Sequence, residues 1–152
     1  MQRLSIVSAV VVLAVFSGGI LLPSPALADP SETFKSAVAS ARAGTSCGPL
    51  RYNPVVEQVA QISNRSTDQY LNHATAKVPV SDPAPGLKDL GYHGKKGALL
   101  NGAARNEADA IKATLLEGFD KVPDCSYTDF GVSMLRNQWN GYYLTSLVLA
   151  GP

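Results

Sequence analysis

The chain has 152 residues, of which 45% are hydrophobic, 16% charged and 7% aromatic, enough for one ordinary globular domain and too few for two. Thirteen Lys and Arg stand against twelve Asp and Glu, a formal charge of +1, which excludes the basic excess that a nucleic-acid binder needs to neutralise a run of phosphates. Ten Pro and thirteen Gly make the chain turn-rich, but its apolar content is too high and its net charge too low for a disordered chain.

The sequence opens with a short basic start, Met1-Gln2-Arg3, followed by almost entirely apolar or small residues from 4 to 22. Pro23 and Pro25 then precede Ala26-Leu27-Ala28, which offers small residues where a signal peptidase reads. The pattern predicts a secretory signal over 1–28 and a single domain over 29–152. A membrane span is the alternative for an apolar run of that length; the prolines and the small residues after it favour cleavage. No Cys follows the cleavage site, which disfavours a lipid anchor. With Arg3 removed the rest of the chain is formally neutral, and it holds no second apolar stretch long enough to span a membrane.

In chain order, Asp29-Pro30-Ser31-Glu32 is a helix start, with a cap, a proline at the first helical position and a Glu three residues past the cap. Phe34, Ala37, Val38 and Ala41 recur at helical spacing until Gly44. Cys47 and, far along the chain, Cys125 are the only cysteines. An even pair in an oxidising compartment reads as one disulfide, with two free thiols or a metal pair as alternatives. Asn53-Pro54 starts a second helix reaching about Asn72. Val55, Val56, Val59, Ala60, Ile62, Tyr70 and Leu71 take one half of its wheel, and Glu57, Gln58, Gln61, Asn64, Arg65, Asp68 and Gln69 the other.

Residues 78–97 carry too many Pro and Gly for a long element and predict a loop with one helical turn around Leu87 to Leu90. Ala98-Leu99-Leu100 reads as a short buried strand. A third helix begins at Asn106, with Ala108, Ile111 and Leu115 as its core stripe and Gly118 at its end. Thr128 to Leu135 and Tyr142 to Leu149 read as strands, and Asn140-Gly141 between them is a hairpin signal. Alternation sends Tyr142, Leu144, Ser146 and Val148 to one face of the last strand and Tyr143, Thr145, Leu147 and Leu149 to the other, so it reads as buried on both sides, as a sandwich core requires.

Ala41-Arg42 before Gly44, Pro49-Leu50 before Asn53-Pro54, Gly91-Tyr92, Phe130-Gly131-Val132 and Gly141-Tyr142, taken in this order, resemble landmarks of the CAP superfamily, the cysteine-rich secretory, antigen 5 and pathogenesis-related proteins. Ala41-Arg42-Ala43-Gly44 and Pro49-Leu50-Arg51-Tyr52-Asn53-Pro54 are similar to its helix ending in Arg, its Pro-Leu and its long helix. Gly91-Tyr92, Glu107-Ala108-Asp109-Ala110-Ile111, Phe130-Gly131-Val132 and Gly141-Tyr142-Tyr143-Leu144 resemble later landmarks of bacterial members. The resemblance runs from about residue 34 to 150. It implies an α+β fold, a CAP-like three-layer α-β-α sandwich with a small antiparallel sheet. It also admits sterol or lipid as a ligand.

At the family's usual cleft of two His and two Glu the sequence departs from the pattern. Lys95-Lys96-Gly97-Ala98 stands where a Gly-Glu-Asn is usual, and Glu117-Gly118-Phe119-Asp120-Lys121 where a Ser-x-x-His-Arg is usual. Only His73 falls near a family His. A lone His at a helix end is ordinarily a satisfied structural residue, with a ligand or acid-base role as the alternative. His93, after Tyr92 and before Lys95, reads as a solvated loop residue. A protein zinc site wants three or four ligands, which the chain does not easily supply once its Cys are paired. No metal and no cofactor are expected. The acids Glu107 and Asp109 are read as first-turn residues stabilising a helix start, and Asn64-Arg65-Ser66 as a chance glycosylation match. Trp139, beside Asn140 at the hairpin tip, is expected to pack beneath the hairpin, with a partner contact as its other use.

The expectation is a secreted, extracellular or envelope-located CAP-like domain of bacterial type that acts by binding and not by catalysis. Its binding candidates are His73, Tyr92, His93 and Trp139, and its partner an apolar small molecule, an envelope component or a protein. The alternatives are a hydrolase pairing His73 with an acid such as Glu107, and a structural envelope protein.

Overall fold

The computed structural model describes residues 29–152, so the secretory signal expected over 1–28 lies outside the described residues. Helix α1 (Pro30–Ala43) begins where its capping signal stands, the Asp29 carboxylate accepting the Ser31 N–H at 2.9 Å. Strand β1 (Arg51–Tyr52) leads into helix α2 (Pro54–Leu71), where the Asn53 side-chain oxygen accepts the otherwise orphaned N–H groups of Val55 and Val56. A short helix α3 (Ala84–Asp89), strand β2 (Lys96–Ala104), helix α4 (Glu107–Glu117) and strands β3 (Asp129–Arg136) and β4 (Tyr143–Gly151) complete the chain.

The four strands form one sheet in the order β1-β3-β4-β2. β2, β4 and β3 make the expected antiparallel sheet, and β1 adds a parallel edge to β3. Alternation along β4 builds a core on each face. Leu147 and Leu149 join Phe34 and Val38 of α1, Ile111 of α4 and Phe130 and Val132 of β3. Val148 and Ala150 join Val56, Val59 and Ala60 of α2 and Leu87 of α3. The sheet therefore lies between α1 with α4 and α2 with α3, a three-layer α-β-α sandwich. Leu144 through Gly151 are all buried. A disulfide joins Cys47 to Cys125, with Cα atoms 5.1 Å apart, tying the segment after α1 to the segment before β3.

Some elements differ from the sequence expectation. The segment 78–97 holds α3, and β2 starts inside it at Lys96 and runs nine residues, well beyond Ala98–Leu100. Gly102, which looks like a strand breaker, is what lets α4 lie on β2: a methyl group there would sit 2.5 Å from the Ala110 carbonyl oxygen and 2.7 Å from the Thr114 nitrogen. The buried stripe of α4 is consequently Ala110, Ile111 and Thr114, and Ala108 faces solvent. In α2, Ile62 and Tyr70 are exposed while Ser63 and Asn64 are buried, and for Asn64 the sheet beneath that turn offers polar partners. Asn64 Nδ2 donates to the Leu144 carbonyl at 2.9 Å and to Ser133 Oγ at 3.2 Å. With its amide engaged and its side chain covered, Asn64 cannot serve as a glycan acceptor. The β3–β4 connection runs from Asn137 to Tyr142, and Asn140 lacks the positive φ that a two-residue Asn-Gly turn requires.

Candidate functional site

The four binding candidates fall into two groups at opposite ends of β3, roughly 23 Å apart by strand rise alone. Tyr92 and His93 lie at its start. Tyr92 is carried there by α3 and the residue that caps it, Leu87 and Leu90 packing into the α2-side core. Its hydroxyl donates to Asp129 Oδ2 at 2.7 Å. The other side of the same carboxylate meets Arg51, with Nε 3.2 Å from Oδ1 and Nη2 3.3 Å from Oδ2, and Thr128 Oγ1 donates to Oδ2 at 3.1 Å. Asp129 is thus covered and fully engaged. Burial and the donated hydrogen bond to Asp129 push the Tyr92 phenol up to about 12. An open hollow of about 700 Å³ lies over this cluster, walled by Tyr52, Asn53, Gly91 and the exposed His93.

At the other end of β3, α2 terminates on Asn72, and the next residue, His73, has φ of +55°. Among the described residues it is the single non-glycine with positive φ. His73 N–H donates to the Tyr70 carbonyl and Ala74 N–H to the Gln69 carbonyl. That bond pair closes a helix on a left-handed residue, a place usually given to Gly. For a residue with a Cβ this conformation costs on the order of 1 kcal/mol. It sets the imidazole against the Trp139 indole, edge to face, with ring centroids 5.7 Å apart and planes at 77°. Trp139 is 70% exposed, which corrects the expectation that it packs beneath the hairpin.

Asn137 holds this arrangement in place. It is completely buried; its Nδ2 donates to Asp68 Oδ1 at 2.8 Å and Asn72 Oδ1 at 2.9 Å, and its Oδ1 accepts from the Trp139 and Asn140 backbone N–H groups. One side chain thereby fastens the hairpin loop to the end of α2. An open hollow of about 620 Å³ lies here, bounded by Tyr70, Leu71, His73, Thr75, Ala76 and Trp139. Helical spacing puts Tyr70 on the core half of α2, but it contributes an exposed ring instead. Asn137 carries no pattern that reveals it; a single Asn beside a hairpin signal reads as a turn residue.

The segments standing where the family's cleft residues are usual do other work. Lys96 Nζ reaches Asp124 Oδ2 at 2.6 Å and also bonds Ser126 Oγ. The Lys96 bond, with those that the Ser126 hydroxyl and N–H donate, holds the Asp124 carboxyl well below the usual carboxylate range. Glu117 accepts the Asn101 N–H at 2.6 Å. Among the described residues no three His, Cys, Asp or Glu side chains gather as metal ligands would, and no helix is long and apolar enough to cross a membrane.

No protein-family model matches the chain, and no curated protein sequence matches it. Solved structures do match. An outer surface protein from Borrelia burgdorferi aligns with a TM-score of 0.64 at 10% identity, over 80% of this chain and 92% of its own. A cysteine-rich secretory protein from Staphylococcus aureus aligns at 0.57 and 16% identity, over 81% of this chain but 38% of its own length. A venom allergen-like protein from Schistosoma mansoni aligns at 0.54 and 11% identity, over 82% of this chain and 90% of its own. The likeness is one of fold, and the fold is CAP-like, as the collinear landmarks imply.

Proposed function

We propose that the chain is a secreted, non-enzymatic binding domain that engages an envelope component or a protein partner through its surface. The observation that carries this is the Trp139–His73 corner: a large ring held out in solvent on a frame anchored by a buried Asn, beside a residue in a costly backbone conformation. Packing does not need either feature, and local strain with exposed aromatic area is the mark of a contact surface. Within residues 78–97, Leu87, Leu90 and Tyr92 pack into the α2-side core, which favours surface contact over an enclosed small molecule. Extracellular placement rests on the signal read over 1–28, on the disulfide, and on neighbours described as outer surface or secretory proteins.

The hydrolase alternative needs an acid within hydrogen-bond reach of His73; the ring facing His73 is an indole. The test is co-sedimentation of the secreted protein with isolated cell envelope, alongside a survey of peptidase, esterase and muramidase substrates. Envelope retention that falls in Trp139→Ala, with no turnover, is expected. Turnover abolished by His73→Ala would overturn the reading in favour of the enzyme.

A further inference from the structure

We propose that the Trp139–His73 corner is a saccharide site that takes a neutral pyranose chain. The inference deepens the binding reading above and rests on it. Three features of the hollow select this ligand chemistry.

The first is shape. Trp139 and His73 stand nearly perpendicular, at 77°, and both rings wall the hollow. The axial C–H groups of a pyranose are complementary to the electron-rich face of an aromatic ring, while its rim of hydroxyls needs donors and acceptors at the side. Tyr70, Thr75 and His73 supply those around the hollow.

Charge is the second feature. None of the six bounding residues is Asp, Glu, Lys or Arg, which is poor complementarity for a phosphate, a carboxylated polymer or a charged peptide. The hollow is also open, with Trp139 and Tyr70 at 70% and 42% exposure. An acyl chain or sterol there would keep much of its apolar surface in water, whereas a saccharide keeps its outward hydroxyls hydrated at no loss.

Pre-organisation is the third. Asn137 fixes the Trp139 backbone to the end of α2, and the left-handed turn at His73 sets the backbone that carries the second ring. Little loop freedom is lost when a ligand arrives.

Trp139 is the one tryptophan in the sequence, so intrinsic fluorescence reports directly on this site. Cello-, manno- and N-acetylglucosamine oligosaccharides are titrated into the secreted protein, with a high-mannose glycoprotein and mixed phosphatidylcholine–phosphatidylglycerol vesicles as separate arms. A saturable emission change with at least one neutral saccharide is expected. Response to the free oligomers alone assigns a polysaccharide source, and response to the glycoprotein a protein-borne glycan. In His73→Gly the affinity should fall about threefold to tenfold, while the melting temperature holds or rises, because Gly relieves the turn. Calorimetry should show the binding lost in Trp139→Ala. The proposal is overturned if no saccharide alters the emission, if vesicles alone produce the change, or if both variants bind like the parent. Should envelope co-sedimentation remain Trp139-dependent while every saccharide fails, the saccharide class falls and the binding reading stands.

Discussion

The Arg42 guanidinium donates to the Val122 carbonyl oxygen at 2.6 Å, across 80 positions of sequence. The same group also donates to the carbonyls of Gly48, Asp124 and Tyr127 at 2.8, 3.0 and 2.8 Å, and Arg42 is only 2% exposed. No carboxylate takes part, so this buried cation is held by backbone dipoles alone. The helix-ending Arg among the family landmarks thus has a physical reason: it satisfies the irregular 122–127 segment, which has no ladder of its own.

Replacing this Arg tests that role. A Lys amine cannot span the same fork of acceptors, and each carbonyl left unpaired in the interior costs about 1–3 kcal/mol. Arg42→Lys should therefore lose about 2–4 kcal/mol in urea unfolding. A loss within 0.5 kcal/mol of zero, an ordinary surface effect of about that size, would show that the carbonyls find other partners.

The disulfide holds the same segment from its other side, and Cys47 and Cys125 are separated by 78 positions. Removing it with the double variant Cys47→Ala/Cys125→Ala should cost about 2–5 kcal/mol. Because Arg42 and the disulfide restrain one loop, their effects should be coupled. Once the loop is released its carbonyls reach water, so Arg42→Lys should cost less in the disulfide-free background, by about 0.5 kcal/mol or more in a double-mutant cycle. Strict additivity would mean that the two ties act independently.

Tyr92 carries a pH signature. Burial, followed by the bond to Asp129, raises its folded-state pKa to about 12, while the unfolded value is about 10. A raised pKa contributes stability that is complete below the unfolded value and is lost as the pH climbs through the folded one. The protein should accordingly lose stability between about pH 10 and 12 that Tyr92→Phe does not lose. At neutral pH the Phe variant should be destabilised by about 1–2 kcal/mol. Thermal unfolding of both proteins from pH 7 upward checks this, and parallel curves would remove Tyr92 as the cause.

The elements that sequence revealed are those whose signals are local. Asp29, Asn53 and Asn106 each cap the helix they were expected to cap, and the two-sided burial of β4 is visible in its composition. What stayed hidden depends on distant partners. Arg51 and Tyr52 form a strand only because β3 lies alongside, and Asn64 is buried only because Leu144 and Ser133 await its amide. The candidate site divides in the same way. Trp139 and His73 were visible as unusual residues, but their meeting needed the Asn137 bridge, a contact between α2 and the hairpin with no sequence period behind it.

Gly131 gives the sharpest test of how the sandwich closes. It lies in β3 on the face toward α2, and a methyl group placed on it would fall onto the Glu57 backbone nitrogen and Cα and 2.5 Å from the Val56 carbonyl carbon. These are backbone atoms at the start of a helix, so no side-chain rotation relieves the clash; α2 must move away from the sheet, opening the packing of Val56, Val59 and Ala60 against Val148 and Ala150. In an unobstructed strand Gly→Ala would gain a few tenths of a kcal/mol or more by restricting the unfolded chain. Here the overpacking term dominates, and Gly131→Ala should lose about 2–4 kcal/mol. Gly48 is the matched control, because a methyl there meets nothing within 4 Å. Gly48→Ala should be neutral or stabilising by about 0.5 kcal/mol. Urea midpoints measured on the two variants should thus move in opposite directions, or only for Gly131; equal shifts would mean that α2 does not rest on the sheet at this residue.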